Sequence, residues 1–234
     1  VPEDEPDAID ALLRMRPFRI HARETWGERK WRHHRWAYCR LTEMVDRQVG
    51  VVLDALRDAG LEEETLVVFT SDHGDMDSHH RMEHKTVPYE EAARIPFILS
   101  QPGETPAGCV DREHLVSNGL DMLPTLCDYA GIDAPDGLLG RSVAPLARGR
   151  GVSSWRNQVF QEGQVSRMVR ADRWKYCVFD RGELREQLTD KKNDPGEMQN
   201  LAVDPDYRDV LDRMRRRMCR WVDRTDDAIG AEYV

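Results

Sequence analysis

The segment TLVVFTSDHGD, residues 65–75, joins a short apolar run to a polar turn. Its first part, residues 65–70, is apolar and rich in β-branched side chains, which predicts a buried strand of a parallel sheet. The polar residues that follow would then lie at the carboxyl end of that strand, where open α/β sheets bind their ligands. The segment therefore predicts both a sheet and a functional site at its edge.

Asp72 and His73 are the candidate metal ligands in that turn. A carboxylate suits Ca²⁺, Mg²⁺ or Mn²⁺, whereas an imidazole suits Zn²⁺ and other transition metals, so the pair leaves the metal open. Gly74 permits a sharp turn that would bring both side chains to one cation. The alternative is a turn or helix cap in which hydrogen bonds satisfy both side chains.

A long polar loop, residues 71–92, contains the other candidate site residues. Lys85 lies twelve residues after His73, and its ammonium would hold an oxygen of a tetrahedral oxyanion, the alternative being a solvated surface lysine. Three further histidines, His79, His80 and His84, match no common zinc-site spacing. We expect one of them to act as an acid or base and the other two to be surface residues.

The elements around this loop predict an α/β layer arrangement. Residues 36–59 have apolar side chains at helical spacing, followed by Gly60, and indicate an amphipathic helix. Residues 95–99 indicate a second buried strand, and residues 120–130 a helix with Pro124 in its first turn. The first thirty residues, by contrast, predict an irregular segment that packs on something outside the chain.

The pattern changes to shorter elements beyond about residue 150. Strands are predicted for residues 158–160, 166–170 and 174–179, a turn for residues 193–196, and a closing amphipathic helix for residues 204–225. These elements indicate a small antiparallel sheet with a packing helix. We therefore predict a boundary that divides the chain into residues 1–150, part of the α/β domain, and residues 151–234, a small α+β subdomain.

Composition excludes several classes of protein. The chain has 234 residues, of which 40% are hydrophobic and 33% charged, as is ordinary for a globular protein. Its net charge of −9 argues against nucleic acid or an anionic membrane as the main partner. It lacks an apolar run long enough to span a membrane, and its five scattered cysteines indicate neither a zinc knuckle nor a disulfide framework.

The start of the sequence, VPEDEP, lacks an initiator methionine and an apolar signal-like stretch. We expect it to be the interior of a longer chain. The cellular compartment stays open at this point, with a periplasmic or secreted location compatible with the residues present.

Residues 65–76, Lys85 and residues 88–96 together resemble the sulfatase family, in family order and without a gap. Further similarity covers most of residues 34–202 and includes the segments DMLPT (121–125), GRSVAPL (140–146), RADRWK (170–175) and DPGEMQNL (194–201). The resemblance implies the fold of the alkaline phosphatase superfamily. We therefore expect an α/β/α sandwich, encoded here only in part, with a small C-terminal antiparallel sheet and helix.

The resemblance also implies roles for individual residues. It makes Asp72 and His73 metal ligands, Lys85 a contact to the sulfate group, and His80 a further catalytic residue. The family's nucleophile is a formylglycine made from Cys or Ser in a Cys-x-Pro-x-Arg context, and no such motif occurs in this sequence. We therefore expect the nucleophile in an N-terminal half of the same protein, a sulfated small molecule or glycan as substrate, and no turnover by this segment alone.

One departure from the family pattern concerns the metal. The family's usual ion is Ca²⁺, often with Asn where this chain has His73, so Ca²⁺ is expected first and Mn²⁺ or Zn²⁺ are alternatives. An Asp-His pair also resembles the phosphonate monoester and phosphodiester hydrolases of the same superfamily, which are the second functional hypothesis. A non-catalytic member that binds sulfated glycans is the third.

Overall fold

The computed structural model describes all residues, 1–234. Its helices are α1 Asp7–Arg14, α2 Pro17–Thr25, α3 Glu28–Asp58, α4 Glu90–Ala93, α5 Asn118–Ala130, α6 Ala144–Ala147 and α7 Arg208–Thr225. Its strands are β1 Val67–Thr70, β2 Phe97–Ser100, β3 Gln158–Glu162, β4 Ser166–Ala171, β5 Trp174–Phe179 and β6 Glu186–Asp190. None of the helices combines the length and apolar character needed to cross a bilayer.

The chain forms two units that differ from simple sequence halves. The first unit contains residues 1–35, 73–94 and 158–234, and the second contains residues 36–72 and 95–157. The chain therefore passes from the second unit to the first between Asp72 and His73. The boundary near residue 150 stays a prediction for the whole protein.

A four-stranded antiparallel sheet forms the centre of the first unit. Its strand order is β3-β4-β5-β6, so each strand pairs with the next one along the chain. This confirms the predicted small sheet, in which Met168 of β4 lies opposite Cys177 of β5. The strand β6 was not predicted, because its residues 186–190 include a single large apolar side chain, Leu188.

Both faces of this sheet are covered, because side chains alternate along each strand. Cys177 and Phe179 of β5 face a core that includes buried residues of α1. The intervening side chains, Tyr176 and Val178 among them, face a second core with apolar residues of α7. The core on the α7 side contains Leu211, Met214, Met218 and Val222, which confirms the predicted closing helix.

The N-terminal segment is helical and part of this core, so the prediction of an irregular segment was wrong, while a contact with something outside the chain stays a prediction. The buried residues of α1 are Ala8, Ile9, Leu12 and Leu13. Their spacing places them on one face of a helix, which packs in the same core as Met168 and Phe179. The helical spacing of these apolar residues was visible in the sequence, but it extended over only two turns between segments that contain proline.

The second unit contains the two strands that flank the polar loop. They pair antiparallel, with Phe69 opposite Ile98, so the predicted parallel, buried arrangement is wrong for the pairing seen in this chain. Phe69 and Ile98 are also 42% and 54% exposed, respectively. An apolar run predicts a strand but does not determine whether it pairs parallel or antiparallel, because that depends on the connection between the two strands.

The long helix α3 confirms the predicted amphipathic helix and begins earlier, at Glu28. It ends at Asp58, and the expected capping glycine, Gly60, follows with a left-handed φ of +69°. The Leu61 amide donates to the Leu56 carbonyl at 3.2 Å, as in a Schellman motif. The apolar face is exposed, however, as shown by Leu41 and Val45 at 61% and 58%.

The helix α5 places Pro124 in its second turn rather than its first, because the helix begins at Asn118. Proline has no amide hydrogen, so the carbonyl of Leu120 lacks its usual intrahelical donor. Gly140 packs against that carbonyl so closely that a Cβ there would lie 1.7 Å from the Leu120 oxygen. The glycine is therefore required by contact rather than by backbone conformation.

Replacing Gly140 with alanine is expected to lower the free energy of unfolding by about 1–3 kcal/mol, because the new methyl group must displace the start of α5. Urea unfolding followed by circular dichroism measures this change. Gly119→Ala is the matched control, since a Cβ at that helical position meets nothing within 4 Å. Equal unfolding midpoints for Gly140→Ala and the unsubstituted protein would contradict the close contact.

Candidate functional site

His73 has a defined tautomer in the first unit. Its Nδ1 lies 2.7 Å from the carbonyl oxygen of Gly74. A carbonyl can only accept a hydrogen bond, so Nδ1 carries the hydrogen, and in the neutral ring the lone pair is on Nε2. The ammonium of Lys85 contacts this Nε2 atom. The loop thus brings two of the predicted site residues together, twelve positions apart in sequence.

Gly74, directly after His73, is packed against α4. A Cβ on Gly74 would lie 2.0 Å from the Glu91 carbonyl oxygen, and the Gly74 amide donates to the Ala92 carbonyl at 2.8 Å. Its φ is not left-handed. The reason for a glycine here is therefore the close approach of another backbone segment, and not the turn flexibility expected from the sequence.

Asp72 belongs to the second unit, where the side chain of Asn118 supports its backbone. Asn118 Nδ2 donates to the Ser71 carbonyl at 2.8 Å and is 3.4 Å from the Asp72 carbonyl. The Ser71 hydroxyl lies 3.3 Å from Asp72 Oδ1. Sequence reasoning missed Asn118, whose one visible signal is its position at the start of a predicted helix.

Asp72 and His73 carry the two donor types expected of metal ligands, a carboxylate and an imidazole. The hydrogen bond from Nδ1 of His73 orients the lone pair of its Nε2, the atom that Lys85 contacts in the structure. Metal-binding histidines commonly have this second hydrogen bond to a carbonyl or carboxylate. Lys85 adds a positive charge suited to an anionic ligand of such a cation.

His80 occupies a different part of the same loop. Its imidazole is buried and stacks on the Tyr89 ring, with centroids 4.1 Å apart, and its Nε2 lies 3.8 Å from a Glu91 carboxylate oxygen. Neither ring nitrogen has a hydrogen-bond partner in the structure. Burial, with a smaller effect from the neighbouring His79, lowers the pKa of His80 to about 4.

The Tyr89 ring is fixed from its other end. Its hydroxyl donates to Glu5 Oε1 at 2.9 Å, and Glu5 Oε2 accepts from the Arg23 guanidinium at 2.5 Å. Burial raises the pKa of the Glu5 carboxyl against the opposing effect of Arg23. Residues of the N-terminal helical segment thus hold the stack of His80 on Tyr89.

The burial of His80 predicts a pH dependence of stability. A histidine with a lowered folded pKa binds its proton more readily when unfolded, so its contribution is present above pH 6.5 and is lost as the pH falls towards about 4. The expected loss across this window is about 2–3 kcal/mol. Urea unfolding of the protein and of His80→Phe, at intervals from pH 7 to pH 4, measures it.

The His80→Phe variant keeps an aromatic ring on Tyr89 and removes the titrating group. Its free energy of unfolding is expected to decline less between pH 6.5 and pH 4 than that of the unsubstituted protein, by the amount that His80 contributes. Parallel curves for the two proteins over this range would show that His80 is not buried in neutral form.

Two family models match the chain. The model described as "Sulfatase" matches residues 7–132, and the model described as "N-sulphoglucosamine sulphohydrolase, C-terminal" matches residues 78–224. A Delta 4,5-hexuronate-2-O-sulfatase of Bacteroides thetaiotaomicron is 38% identical over 211 residues. The alignment covers 86% of this chain and 44% of that protein, so the chain spans less than half of its relative.

Solved structures give the same result for the fold. A 2-O GAG sulfatase superposes with a TM-score of 0.80 and 37% identity, over 86% of this chain and 45% of that one. A phosphonate monoester hydrolase from Silicibacter pomeroyi superposes with a TM-score of 0.67 and 28% identity, over 77% and 39%. On these grounds the chain belongs to the sulfatase family, and it contains part of the alkaline-phosphatase-like α/β fold.

Proposed function

We propose that the protein containing this chain hydrolyses sulfate esters. The observation that carries the proposal is the contact between the Lys85 ammonium and Nε2 of His73, in a chain that belongs to the sulfatase family. This contact places an ammonium beside the nitrogen that is proposed to bind the metal. A sulfate ester has several partly negative oxygens, which suit such a positive group.

Asp72 and His73 are proposed as two ligands of a divalent cation. Ca²⁺ is the first choice, and Mn²⁺ or Zn²⁺ are alternatives because one of the two ligands is an imidazole. When bound, such a cation supplies Lewis-acid polarisation of a sulfuryl oxygen. The hydrogen bond from His73 Nδ1 to Gly74 supports this role, because it puts the ring hydrogen on Nδ1 and the lone pair on Nε2, the atom that Lys85 contacts in the structure.

Lys85 is proposed to bind a sulfuryl oxygen through its ammonium group. Negative charge grows on the departing oxygens as the ester bond breaks, and a fixed positive group lowers the energy of that charge distribution. His80 stays a proposed acid or base. Its pKa of about 4 keeps the imidazole neutral near pH 7 and makes it a weak base, so it would hold a proton only briefly during the reaction.

The nucleophile is proposed to be a formylglycine in the N-terminal half of the same protein. None of the five cysteines in this chain stands in a Cys-x-Pro-x-Arg context. The exposed apolar side chains of α3, and those of Phe69 and Ile98 on the strands, support such a partner, because large exposed apolar surfaces are usually covered. The segment alone is therefore expected to have no turnover.

The substrate is proposed to be a sulfated glycan or a sulfated small molecule. Support comes from two relatives, which are named as a hexuronate-2-O-sulfatase and a 2-O GAG sulfatase. A phosphonate ester is the second candidate. The similarity to a phosphonate monoester hydrolase and the Asp72-His73 pair favour it.

Assays of the whole protein on matched aryl esters test the proposal. We expect faster hydrolysis of 4-nitrophenyl sulfate and of a 2-O-sulfated unsaturated uronate than of 4-nitrophenyl phenylphosphonate, each measured with added Ca²⁺ or Mn²⁺. Faster phosphonate hydrolysis would favour the second candidate. Binding of a sulfated glycan without hydrolysis of any ester would indicate the non-catalytic alternative.

A further inference from the structure

A buried ion pair joins the small sheet to the loop that contains His73 and Lys85. Lys175 of β5 is 1% exposed, and its ammonium lies 2.8 Å from Glu197 Oε1 and 3.4 Å from Glu90 Oε1. Burial is the largest effect and disfavours the charged ammonium, but Glu197 and the other neighbouring groups, Glu90 among them, together outweigh it and raise the pKa of Lys175. The Lys175 ammonium therefore stays charged near neutral pH, and its burial requires a partner such as the Glu197 carboxylate.

The second oxygen of Glu197 caps the short helix α4. Glu197 Oε2 accepts the backbone amide of Glu90, the first residue of α4, at 2.7 Å. The residue before the helix, Tyr89, provides no capping side chain of its own. Glu197 reaches this position from the turn after Pro195 and Gly196, with a left-handed φ of +54°. A charged carboxylate at a helix start satisfies an otherwise unpaired donor.

The helix α4 in turn contacts both ends of the site loop. The Ala92 carbonyl accepts from the amide of Gly74, which directly follows His73. At the other end of α4, Tyr89 is fully buried and lies only four residues after Lys85. The position of α4 therefore limits where His73 and Lys85 can lie relative to each other.

We propose that Glu197, held by Lys175, is a positioning residue that sets the placement of His73 and Lys85 through α4. The inference rests on the proposed function, since it concerns the site of that reaction. The proposal assigns a positioning role to the glutamate of the DPGE segment, residues 194–197. Neither residue touches the proposed reacting atoms, so their effect must pass through the loop.

Glu197→Gln in the whole protein is the first test. We expect kcat/KM for 4-nitrophenyl sulfate to fall by about 10–10²-fold, because a misplaced binding group reduces the fraction of productive complexes. We also expect the loss in Glu197→Gln combined with Lys85→Ala to be smaller than the product of the two separate losses. A purely structural role would give separate losses that multiply.

Amide hydrogen exchange provides a readout that does not depend on activity. Glu197→Gln is expected to speed exchange in residues 73–94, including the amides of Gly74 and Glu90, and to leave β4 and β5 unchanged. If the unsubstituted protein hydrolyses no sulfate ester, the proposed function fails. The exchange result still supports or overturns the positioning role.

Glu186→Gln is the matched control. Glu186 accepts hydrogen bonds from Tyr176 and Arg215 at 2.6 and 2.7 Å, and it lies on the side of the sheet that faces α7. The Glu186→Gln variant should be less stable overall but should show no change in amide exchange confined to residues 73–94. Its loss in activity, if any, should multiply with that of Lys85→Ala.

A second variant covers the case in which Glu197→Gln does not fold. Lys175→Met combined with Glu197→Gln removes both charges of the closest pair, in which Lys175 Nζ and Glu197 Oε1 are 2.8 Å apart, so neither of these two ions is left buried without the other. Lys191, 3.5 Å from Glu197 Oε2, keeps its charge. The double variant should fold, show faster exchange at Glu90, and have reduced kcat/KM. Global unfolding of both variants, or unchanged exchange in residues 73–94 of a folded variant, would overturn the proposal.

Discussion

Replacement of Lys85 by alanine is expected to lower kcat/KM for sulfate ester hydrolysis by about 10²–10³-fold. The ammonium contacts Nε2 of His73, which places a positive group beside the proposed metal ligand, where it could bind an anion. Its removal leaves the charge that develops on the sulfuryl oxygens without a fixed partner. Initial rates with 4-nitrophenyl sulfate, measured in the whole protein at saturating metal, give the size of the loss.

The metal content of the variants separates binding of the anion from binding of the cation. Lys85→Ala should retain the metal of the unsubstituted protein, whereas His73→Ala should weaken metal affinity by about 10–100-fold or more, since it removes a ligand outright. Elemental analysis after dialysis against a defined metal buffer measures both. Similar metal loss in the two variants would show that Lys85 acts through the cation site and not on the substrate.

The control for charge alone is Lys192→Ala. Lys192 is an exposed lysine of the same unit, in the turn after β6. Its replacement should leave kcat/KM unchanged within error. A comparable loss of kcat/KM in Lys192→Ala and Lys85→Ala would indicate that the lysines attract the anion over long range and that Lys85 makes no specific contact with it.

Replacement of Arg156 by methionine is expected to lower the free energy of unfolding by about 3–5 kcal/mol, because it leaves a buried carboxylate without its cation. Asp121 is fully buried, and the guanidinium of Arg156 forms two hydrogen bonds with it, one of them 2.6 Å long. Asp121 also accepts the backbone amides of Ser117 and Arg141 at 2.8 and 2.9 Å. These two amides hold the carboxylate in its buried position when Arg156 is removed, and the methionine side chain cannot replace the lost positive charge.

Arg148→Met is the matched control for this second variant. Arg148 pairs with Asp128 and Glu104, whose side chains are 33% and 48% exposed. Such solvent-accessible pairs contribute about 0–1 kcal/mol. Urea unfolding of both variants compares them directly. An Arg156→Met variant that unfolds at the same urea concentration as Arg148→Met would show that Asp121 does not depend on Arg156 in the folded protein.

Local periodicity predicted the elements that depend on it. The apolar face of α7 and the strands β4 and β5 could be read from the sequence because their side chains repeat at the spacing of a helix or a strand. The helix α1 and the strand β6 were missed, since one has only two turns and the other a single large apolar residue. Short elements of this kind gain most of their stability from tertiary packing.

Strand direction and burial were beyond the reach of these patterns. The antiparallel pairing of β1 with β2 joins residues about thirty positions apart, so the sequence of either strand alone cannot predict it. The burial of His80 under Tyr89 was equally invisible, because a histidine in a polar loop has the composition of a surface residue. Contacts between distant residues depend on how the whole unit packs.

The chemical types at the site, and the order of Asp72, His73 and Lys85 along the chain, are properties of the sequence alone and were sufficient to indicate the family. Folding added three facts: Lys85 meets Nε2 of His73, Gly74 packs under the Glu91 carbonyl, and Glu197 caps α4. The physical reason is the difference between local and long-range interactions. Residue type and spacing are set by neighbouring positions, whereas these contacts arise only when separate segments share one core.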